Sequence, residues 1–358
     1  MTRPSTGRPG PLLARLLLRL ITLCTILLGP ASAVFAANVD FVQRPDVRAF
    51  IDEMVTKHHF DKTALTTLFS HVQLRPDIIA AISHPAEAKP WSQYRPIFLT
   101  QARIDGGVKF WNQHAKALAK AEQVYGVPPR IVVAIIGVET RFGTYKGKYP
   151  VIDSLSTLAF DYPKRGAFFR IELEQFLLLA QEEKLDPLTV KGSYAGAMGG
   201  PQFISSSYRH YAVDFDGDGK RDLIDDYDDI IGSVANYFSE HGWKAGQPIA
   251  APAKVEGDKY EALTKLDLKP QYDMRKIREY GVSSDTPLPD DTLASLIRLD
   301  GANGPEYWLG LQNFYVITRY NHSPLYAMAV YQLGKAIAEQ RDRQLTHDKP
   351  TPPDHPGE

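Results

Sequence analysis

A carboxylate closes the most apolar helix predicted for this chain. Residues 131 to 138 (IVVAIIGV) are all apolar or glycine, and Glu139 follows them directly. A run without period-two alternation is typical of a helix buried on most sides, and we expect this one to end at Gly143. Burial disfavours an ionised carboxylate, so we expect a raised pKa for Glu139 and a proton available for general-acid chemistry. The alternative is a structural carboxylate that caps the helix or pairs with Arg141 or Lys146.

A second pattern of carboxylates lies in the twelve residues 214 to 225 (DFDGDGKRDLID). Aspartates occupy positions 1, 3, 5, 9 and 12, and a glycine occupies position 6, where the loop must turn sharply. This is the spacing of oxygen ligands in an EF-hand Ca²⁺ loop. The predicted ligands are the side chains of Asp214, Asp216, Asp218 and Asp225 and the backbone carbonyl of Lys220. Glutamate is usual at position 12, so the shorter Asp225 predicts weaker binding; the alternative is an acidic, solvated turn.

The elements that must position these groups are mainly helical. Apolar residues recur at helical spacing in four regions, namely 40–85, 99–125 as one long helix, 167–184 and 325–339. Helical segments at 202–213 and 230–240 flank the acidic loop. Residues 190–204 are rich in glycine, which permits a tight loop and close approach of a ligand to the backbone.

The region from 250 to 320 changes character. Short alternating runs at 294–299 and 314–317 predict strands among turns. The sequence therefore predicts a mainly α fold (α+β) with a small antiparallel β region inserted into a helical body. The tail from about residue 341 is polar and contains four prolines, so we expect it to be disordered.

Composition and the N-terminus indicate an exported globular protein. The 358 residues are 44% hydrophobic with a net charge of −1, which gives no sign of a nucleic-acid partner. The first 36 residues hold four arginines, no acid, an apolar stretch and small residues, the pattern of a secretion signal cleaved after Ala36 or, second, Ala33. An uncleaved anchor is the alternative. Cys24, the sole cysteine, would leave with the signal, and Leu23 before it fits a lipid-attachment site poorly.

Taken together, these residues resemble the lytic murein transglycosylase B family. Five segments stand in the family's order over roughly residues 40–340: 137–143 (GVETRFG), 195–203 (AGAMGGPQF), the acidic loop, 232–238 (GSVANYF) and 320–323 (YNHS). The family is similar to goose-type lysozyme in its core, with an added α lobe, a β lobe and an EF-hand-like Ca²⁺ site. Between the predicted signal peptide (1–36) and the predicted tail (341–358), the resemblance implies a catalytic region (37–340). Within the catalytic region it implies a helical lobe (about 40–125), a lysozyme-like core (about 126–249 and 313–340) and a β-rich insertion (about 250–312).

The resemblance also implies an activity. Members cleave the β-1,4 bond between N-acetylmuramic acid and N-acetylglucosamine in peptidoglycan and leave a 1,6-anhydro ring. Glu139 would be the single acid and base, and Arg165 would meet the peptide or acidic sugar substituents. The residues implied to line the glycan groove are Ser193, Gln202, Phe203, Tyr237, Asn321 and Tyr326. Ca²⁺ would be structural, with no organic cofactor, and the partner would be glycan strands in the periplasm; partners at the membrane or in wall synthesis are left open.

Two rival functions remain at this point. A hydrolytic lysozyme needs a second carboxylate near Glu139, and Asp153 and Asp161 are candidates by proximity in sequence. A non-catalytic, Ca²⁺-dependent wall-binding protein would keep its biological effect after Glu139→Gln. The family often has two basic residues where this chain has Lys164 and Arg165. Lysine lacks the bidentate geometry with which arginine binds a carboxylate.

Overall fold

The computed structural model describes residues 41–83 and 89–347. The predicted signal peptide and the last eleven residues of the predicted tail lie outside this part of the chain. The helices are α1 (Pro45–His58), α2 (Lys62–Ser70), α3 (Pro76–Ile82), α4 (Trp91–Phe98), α5 (Gln101–Gln113), α6 (Ala115–Tyr125), α7 (Pro129–Thr140), α8 (Val151–Asp161), α9 (Gly166–Glu182), α10 (Ser205–Tyr211), α11 (Tyr227–Glu240), α12 (Met274–Glu279), α13 (Gln312–Tyr320) and α14 (Pro324–His347). The strands are β1 (Tyr149–Pro150), β2 (Lys191–Gly192), β3 (Ala250–Val255), β4 (Tyr272–Asp273), β5 (Val282–Ser283), β6 (Leu293–Gly301) and β7 (Gly304–Gly310).

The β-rich insertion is one antiparallel sheet in the strand order β4-β6-β7-β3-β5. Strands β6 and β7 form its central hairpin, with Ile297 opposite Trp308 and Gly301 opposite Gly304 at the turn. A separate apolar cluster, which includes Leu263, Met274 and Leu309, packs beneath the sheet. The predicted mainly α fold with a small antiparallel sheet is confirmed.

Three element predictions differ from the structure. The expected long helix over 99–125 is two helices that meet at His114, whose ψ of 28° departs from helical geometry. Residues 314–317 lie in α13 rather than in the predicted strand. A short apolar run that is buried on most sides shows no periodicity that distinguishes a helix from a strand. Helix α14 continues to His347, so residues 341–347 of the expected disordered tail are helical.

Helix α7 lies at the centre of the main core. Every residue from Ile131 to Ile136 is at most 1% exposed, as the apolar run predicts. Helix α14 packs closely against it: a Cβ on Gly334 would come within 2.7 Å of the carbonyl oxygen of Arg130. The N-terminal end of α7 is therefore in close contact with a helix that comes about two hundred residues later. Among the described residues, no helix combines the length and the apolar character needed to cross a bilayer.

Candidate functional site

The end of α7 places Glu139 in the last helical turn, as the sequence predicts. The helix stops at Thr140, three residues before Gly143, because Arg141 and Phe142 already adopt left-handed backbone angles (φ 49° and 59°). Their amides donate to carbonyls of the last turn, that of Phe142 to Ile136, which satisfies oxygens that a helix end leaves unpaired. The helix thus ends abruptly beside its carboxylate.

Glu139 accepts a hydrogen bond from a buried tyrosine of α14. The hydroxyl of Tyr326 lies 2.5 Å from Glu139 Oε1, and Tyr326 is only 3% exposed. Burial, and then the negative charge on Glu139, raise the pKa of Tyr326 well above its ordinary value, so the tyrosine stays a donor. A hydroxyl that donates to a carboxylate favours the ionised form, and this contact opposes the effect of burial on the acid.

Both predicted ion-pair partners of Glu139 have other contacts. The guanidinium of Arg141 lies 5.0 Å from the ring centre of Tyr145. The ammonium of Lys146 contacts Asp225 at 3.1 Å. The two cations therefore have contacts elsewhere, and Glu139 accepts a hydrogen bond from Tyr326.

A groove of about 690 Å³ is lined by residues of α9, the glycine-rich loop, α11 and the end of α13. We call it the glycan groove, after the substrate contacts that the resemblance implies for its residues. Four of the residues predicted to contact substrate line it, namely Arg165, Gln202, Phe203 and Tyr237. The ring of Phe203 lies 5.6 Å from that of Tyr237, and the hydroxyl of Tyr237 donates to the carbonyl of Arg319 at 2.6 Å, so the aromatic wall is fixed in place.

Tyr320 is a lining residue that the sequence did not single out. Its ring stacks on Tyr326 (centroids 6.4 Å apart, planes at 9°), and its hydroxyl donates to the carbonyl of Pro201 at 2.5 Å. It therefore links the glycan groove to the tyrosine that holds Glu139. The signal for Tyr320 was its place at the start of the motif at 320–323, in which only Asn321 is predicted to contact substrate.

Ser193 and Asn321 hold turns rather than line the glycan groove. The hydroxyl of Ser193 accepts from the amides of Ala195 and Ala197, at 3.2 and 3.1 Å, and orders the glycine-rich loop. The side-chain oxygen of Asn321 accepts from the amide of Ser323 at 3.2 Å, just before α14. Their roles toward substrate stay predictions.

The glycine-rich loop packs against the acidic loop. Gly199 has a φ of 71°, and a Cβ there would lie 2.0 Å from the carbonyl oxygen of Leu223. Only glycine fits that position. Gln202 also has a left-handed backbone (φ 51°), and its amide group donates to the carbonyl of Gly199 at 3.0 Å. The loop thereby directs the following Phe203 into the glycan groove.

Arg165 lies at the mouth of the glycan groove. It is exposed and stands directly before α9. Its guanidinium lies 4.2 Å from the ring centre of Phe168, also a lining residue. A cation held over an aromatic ring is preorganised and still free to meet an anionic group.

The acidic loop brings together a different set of carboxylates from the predicted one. One oxygen each from Asp214, Asp216 and Asp229 lies within 4.8 Å of the other two. Helix α11 begins at Tyr227, earlier than expected, and its first turn turns Asp229 inward. That carboxylate is 1% exposed and accepts from the amides of Phe215 (2.6 Å) and Asp222 (2.7 Å).

The remaining predicted ligands lie outside this group of three. The side chain of Asp225 is 79% exposed and pairs with Lys146 at 3.1 Å. Asp218 is exposed and accepts from the amide of Lys220 at 2.9 Å. Asp229, which joins Asp214 and Asp216 in this group, lies four positions after the predicted twelfth-position ligand, and its place in the first turn of α11 was the signal for it.

Neither aspartate considered as a second catalytic carboxylate is available for that role. Asp153 accepts from the amide of Gln73 at 2.9 Å and lies 3.4 Å from Nε of Arg75. Asp161 pairs with Arg44 at 2.7 Å. Both carboxylates tie α8 to the N-terminal helices.

Sequence and structure comparisons identify relatives of this chain. The profile of the transglycosylase SLT domain family matches residues 42–335. Membrane-bound lytic murein transglycosylase B of Escherichia coli (strain K12) is 46% identical over 325 residues, which is 88% of this chain and 89% of that protein.

Solved structures are similar as well. Soluble lytic transglycosylase SltB1 from Pseudomonas aeruginosa superposes with a TM-score of 0.80 at 51% identity (83% of this chain, 100% of that chain). The Escherichia coli lytic transglycosylase Slt35 in complex with calcium gives 0.78 at 47% identity (85% and 96%). SltB3 from Pseudomonas aeruginosa in complex with NAG-NAM-pentapeptide gives 0.74 at 34% identity (82% and 79%).

Proposed function

Because this chain belongs to the transglycosylase SLT domain family and is a lytic transglycosylase of peptidoglycan, we propose that Glu139 is its single catalytic acid and base. The observation that carries this proposal is the hydrogen bond of 2.5 Å from Tyr326 to a carboxylate at the end of the buried helix α7. That contact fixes the orientation of the group that must exchange protons with the substrate.

In the proposed reaction, protonated Glu139 donates to the bridging oxygen of the MurNAc-β-1,4-GlcNAc bond as the C1–O bond breaks. The resulting carboxylate then takes the proton of the C6 hydroxyl of the same MurNAc residue, whose oxygen attacks C1 and closes the 1,6-anhydro ring. The glutamate ends protonated, as it began. The nucleophile is intramolecular, so no second carboxylate is needed to position water. The engagement of Asp153 and Asp161 by Arg75 and Arg44 supports this over hydrolysis.

Tyr326 supports both steps. As Glu139 loses its proton, the hydroxyl of Tyr326 stabilises the charge that develops, in a surrounding that excludes most water. When Glu139 takes up the second proton, the same donor remains in place. Tyr326 is therefore a positioning residue in this proposal, and its own proton does not move.

The glycan groove is the proposed path of the sugar chain. Phe203, Tyr237 and Tyr320 offer aromatic faces, on which sugar rings commonly pack, and Gln202 offers an amide for hydroxyl or acetamido groups. Ser193 and Asn321 border this path through the turns that they hold. Arg165 is placed to meet a carboxylate of the lactyl group or peptide.

We also propose that the acidic loop binds Ca²⁺ through Asp214, Asp216 and Asp229. Ca²⁺ prefers hard oxygen ligands, and all three residues supply carboxylate oxygens. The nearly buried Asp229 fits this assignment, because a buried carboxylate group of this kind needs a compensating cation. The calcium complex of Slt35 is consistent with it. Lys220 could add a carbonyl, whereas Asp218 and Asp225 would have to move.

Location is proposed from two sources. The N-terminal pattern predicts export by a cleaved signal into the periplasm, and one relative is described as membrane-bound while another is described as soluble. We propose a soluble periplasmic enzyme.

Two experiments test the proposed function. Glu139→Gln should abolish the release of anhydro-ended fragments from purified peptidoglycan while the melting curve stays cooperative. Product masses separate the reactions, because an anhydro end is one water lighter than a hydrolysed end. A folded Gln variant with normal turnover, or a reducing end in the parent's products, would refute the assignment.

For the cation, we expect the melting temperature to rise with Ca²⁺. At a concentration tenfold above Kd, binding should add about 1.4 kcal/mol to the free energy of unfolding. Asp216→Asn should remove this rise, whereas Asp225→Asn should retain it. Loss of the rise in the Asp225 variant would instead support the twelve-residue ligand set.

A further inference from the structure

A second groove opens at the end of α7, two residues after Glu139. Its volume is about 550 Å³, and its walls come from α5, from the residues that follow α7 and from the start of α11. We call it the cationic groove after Arg103, Lys109 and Arg141. The glycan groove shares none of its lining residues.

The three cations lack acidic partners. Among residues 41–83 and 89–347, no carboxylate oxygen lies within 4.0 Å of the charged nitrogens of Arg103, Lys109 or Arg141. Lys109 and Arg141 are exposed, whereas Arg103 is 8% exposed. Burial, and then the positive charge of Arg141, lower the pKa of Arg103, so the two guanidinium groups repel each other. An anion between them would relieve that repulsion.

The cationic groove is tied to the catalytic turn. Arg103 donates to the carbonyl of Gly137 at 2.7 Å, and Arg141 follows Glu139 by two residues. Ile97, another lining residue, is on α4. A sugar chain bound across Glu139 would therefore bring its substituents near this groove.

The lining combines charge with apolar surface. Phe110, Phe142 and Ile97 offer apolar contacts beside the cations. None of the lining residues is acidic, and Asp228 and Asp226 act electrostatically on His114. This arrangement suits a flexible chain with small apolar side chains and a carboxylate end, which is the chemistry of a short peptide.

We propose that the cationic groove binds the carboxylates of a peptide stem carried by the glycan strand, on the side of the cleaved bond opposite to Arg165. The proposal rests on the proposed function, in which the strand crosses Glu139. Arg165 and the cationic groove would then hold stems on both sides of the bond, so that the enzyme selects strands that still bear their peptides.

The test compares strands that bear stems with the same strands after an amidase has removed them. In Lys109→Gln/Arg141→Gln, the ratio of kcat/KM on stem-bearing strands to kcat/KM on stripped strands should fall about tenfold, equivalent to about 1.4 kcal/mol. Lys116→Gln, an exposed lysine on α6 outside the groove, is the matched control and should leave the ratio within twofold. An unchanged ratio in the double variant, or an equal loss on both substrates, would overturn the proposal.

Binding separates this result from the proposed reaction. In the Glu139→Gln background, calorimetry should show about tenfold weaker binding of stem-bearing strands when Lys109 and Arg141 are also replaced by glutamine, and a smaller change for stripped strands. If the parent enzyme released no anhydro ends, the proposed reaction at Glu139 would be refuted. The difference in binding between stem-bearing and stripped strands would still decide whether the cationic groove recognises the stem. Equal loss of affinity for both strands would exclude stem recognition.

Discussion

Replacing Tyr326 by phenylalanine tests the contact on which the proposed catalysis depends. Because Tyr326 is 3% exposed and its ring stays in place, Tyr326→Phe removes little besides the hydrogen bond of 2.5 Å to Glu139. A hydrogen bond to a charged group contributes about 1.5–3 kcal/mol. If it acts fully as the carboxylate forms, kcat should fall by about 10- to 150-fold with little change in KM.

The pH profile gives a second readout. Without its donor, the ionised carboxylate of Glu139 is less stable, so the fall of activity at high pH should move to higher pH. Tyr331→Phe is the matched control, because Tyr331 is on the same helix and donates to the carbonyl of Ala250 at a long 3.4 Å. Single-turnover rates at several pH values would measure both effects. A Tyr326→Phe enzyme with parental kcat and an unshifted profile would show that the hydroxyl does not assist Glu139.

Two further substitutions test the support of the site. Arg103→Met should lower the free energy of unfolding, measured in urea, by about 2 kcal/mol, since a charged donor to the carbonyl of Gly137 is lost. A loss below about 0.5 kcal/mol would mean that the end of α7 does not need this hydrogen bond. Burial raises the pKa of Asp153, so its ionisation opposes folding, and the protonated form is favoured as the pH falls toward its ordinary value of about 3.9. In Asp153→Asn, the side-chain oxygen can still accept from the amide of Gln73. The difference in melting temperature, variant minus parent, should therefore increase from pH 4 to pH 7. A difference that shrinks over this range would contradict the burial effect assigned to Asp153.

Local patterns predicted the parts of the protein that depend on neighbours in sequence. The apolar run before Glu139 predicted both the burial of α7 and the position of the carboxylate in its last turn. The alternation at 294–299 likewise predicted β6. These predictions succeed because the apolar pattern of a helix turn or of a strand face is formed by residues that are close together in sequence.

Contacts between distant segments could not be predicted in the same way. Nothing near Tyr326 indicates that its hydroxyl meets a residue 187 positions earlier. Asp229 was missed because it lies four residues beyond the twelve-residue loop, in the first turn of α11, where the EF-hand spacing names no ligand. Residues 314–317 were misassigned because burial on most sides removes the period that distinguishes helix from strand.

The span between Glu139 and Tyr326 has a consequence for the order of folding. Helix α7 is complete early in synthesis, but the helix that orders its carboxylate is the last described element, and the whole β sheet is made in between. Closing such a long loop is slow compared with forming local helices. A partly synthesised or partly folded chain therefore has the acid without its donor. On the proposed assignment of Glu139, full activity would thus appear only when the chain is finished and α14 has docked.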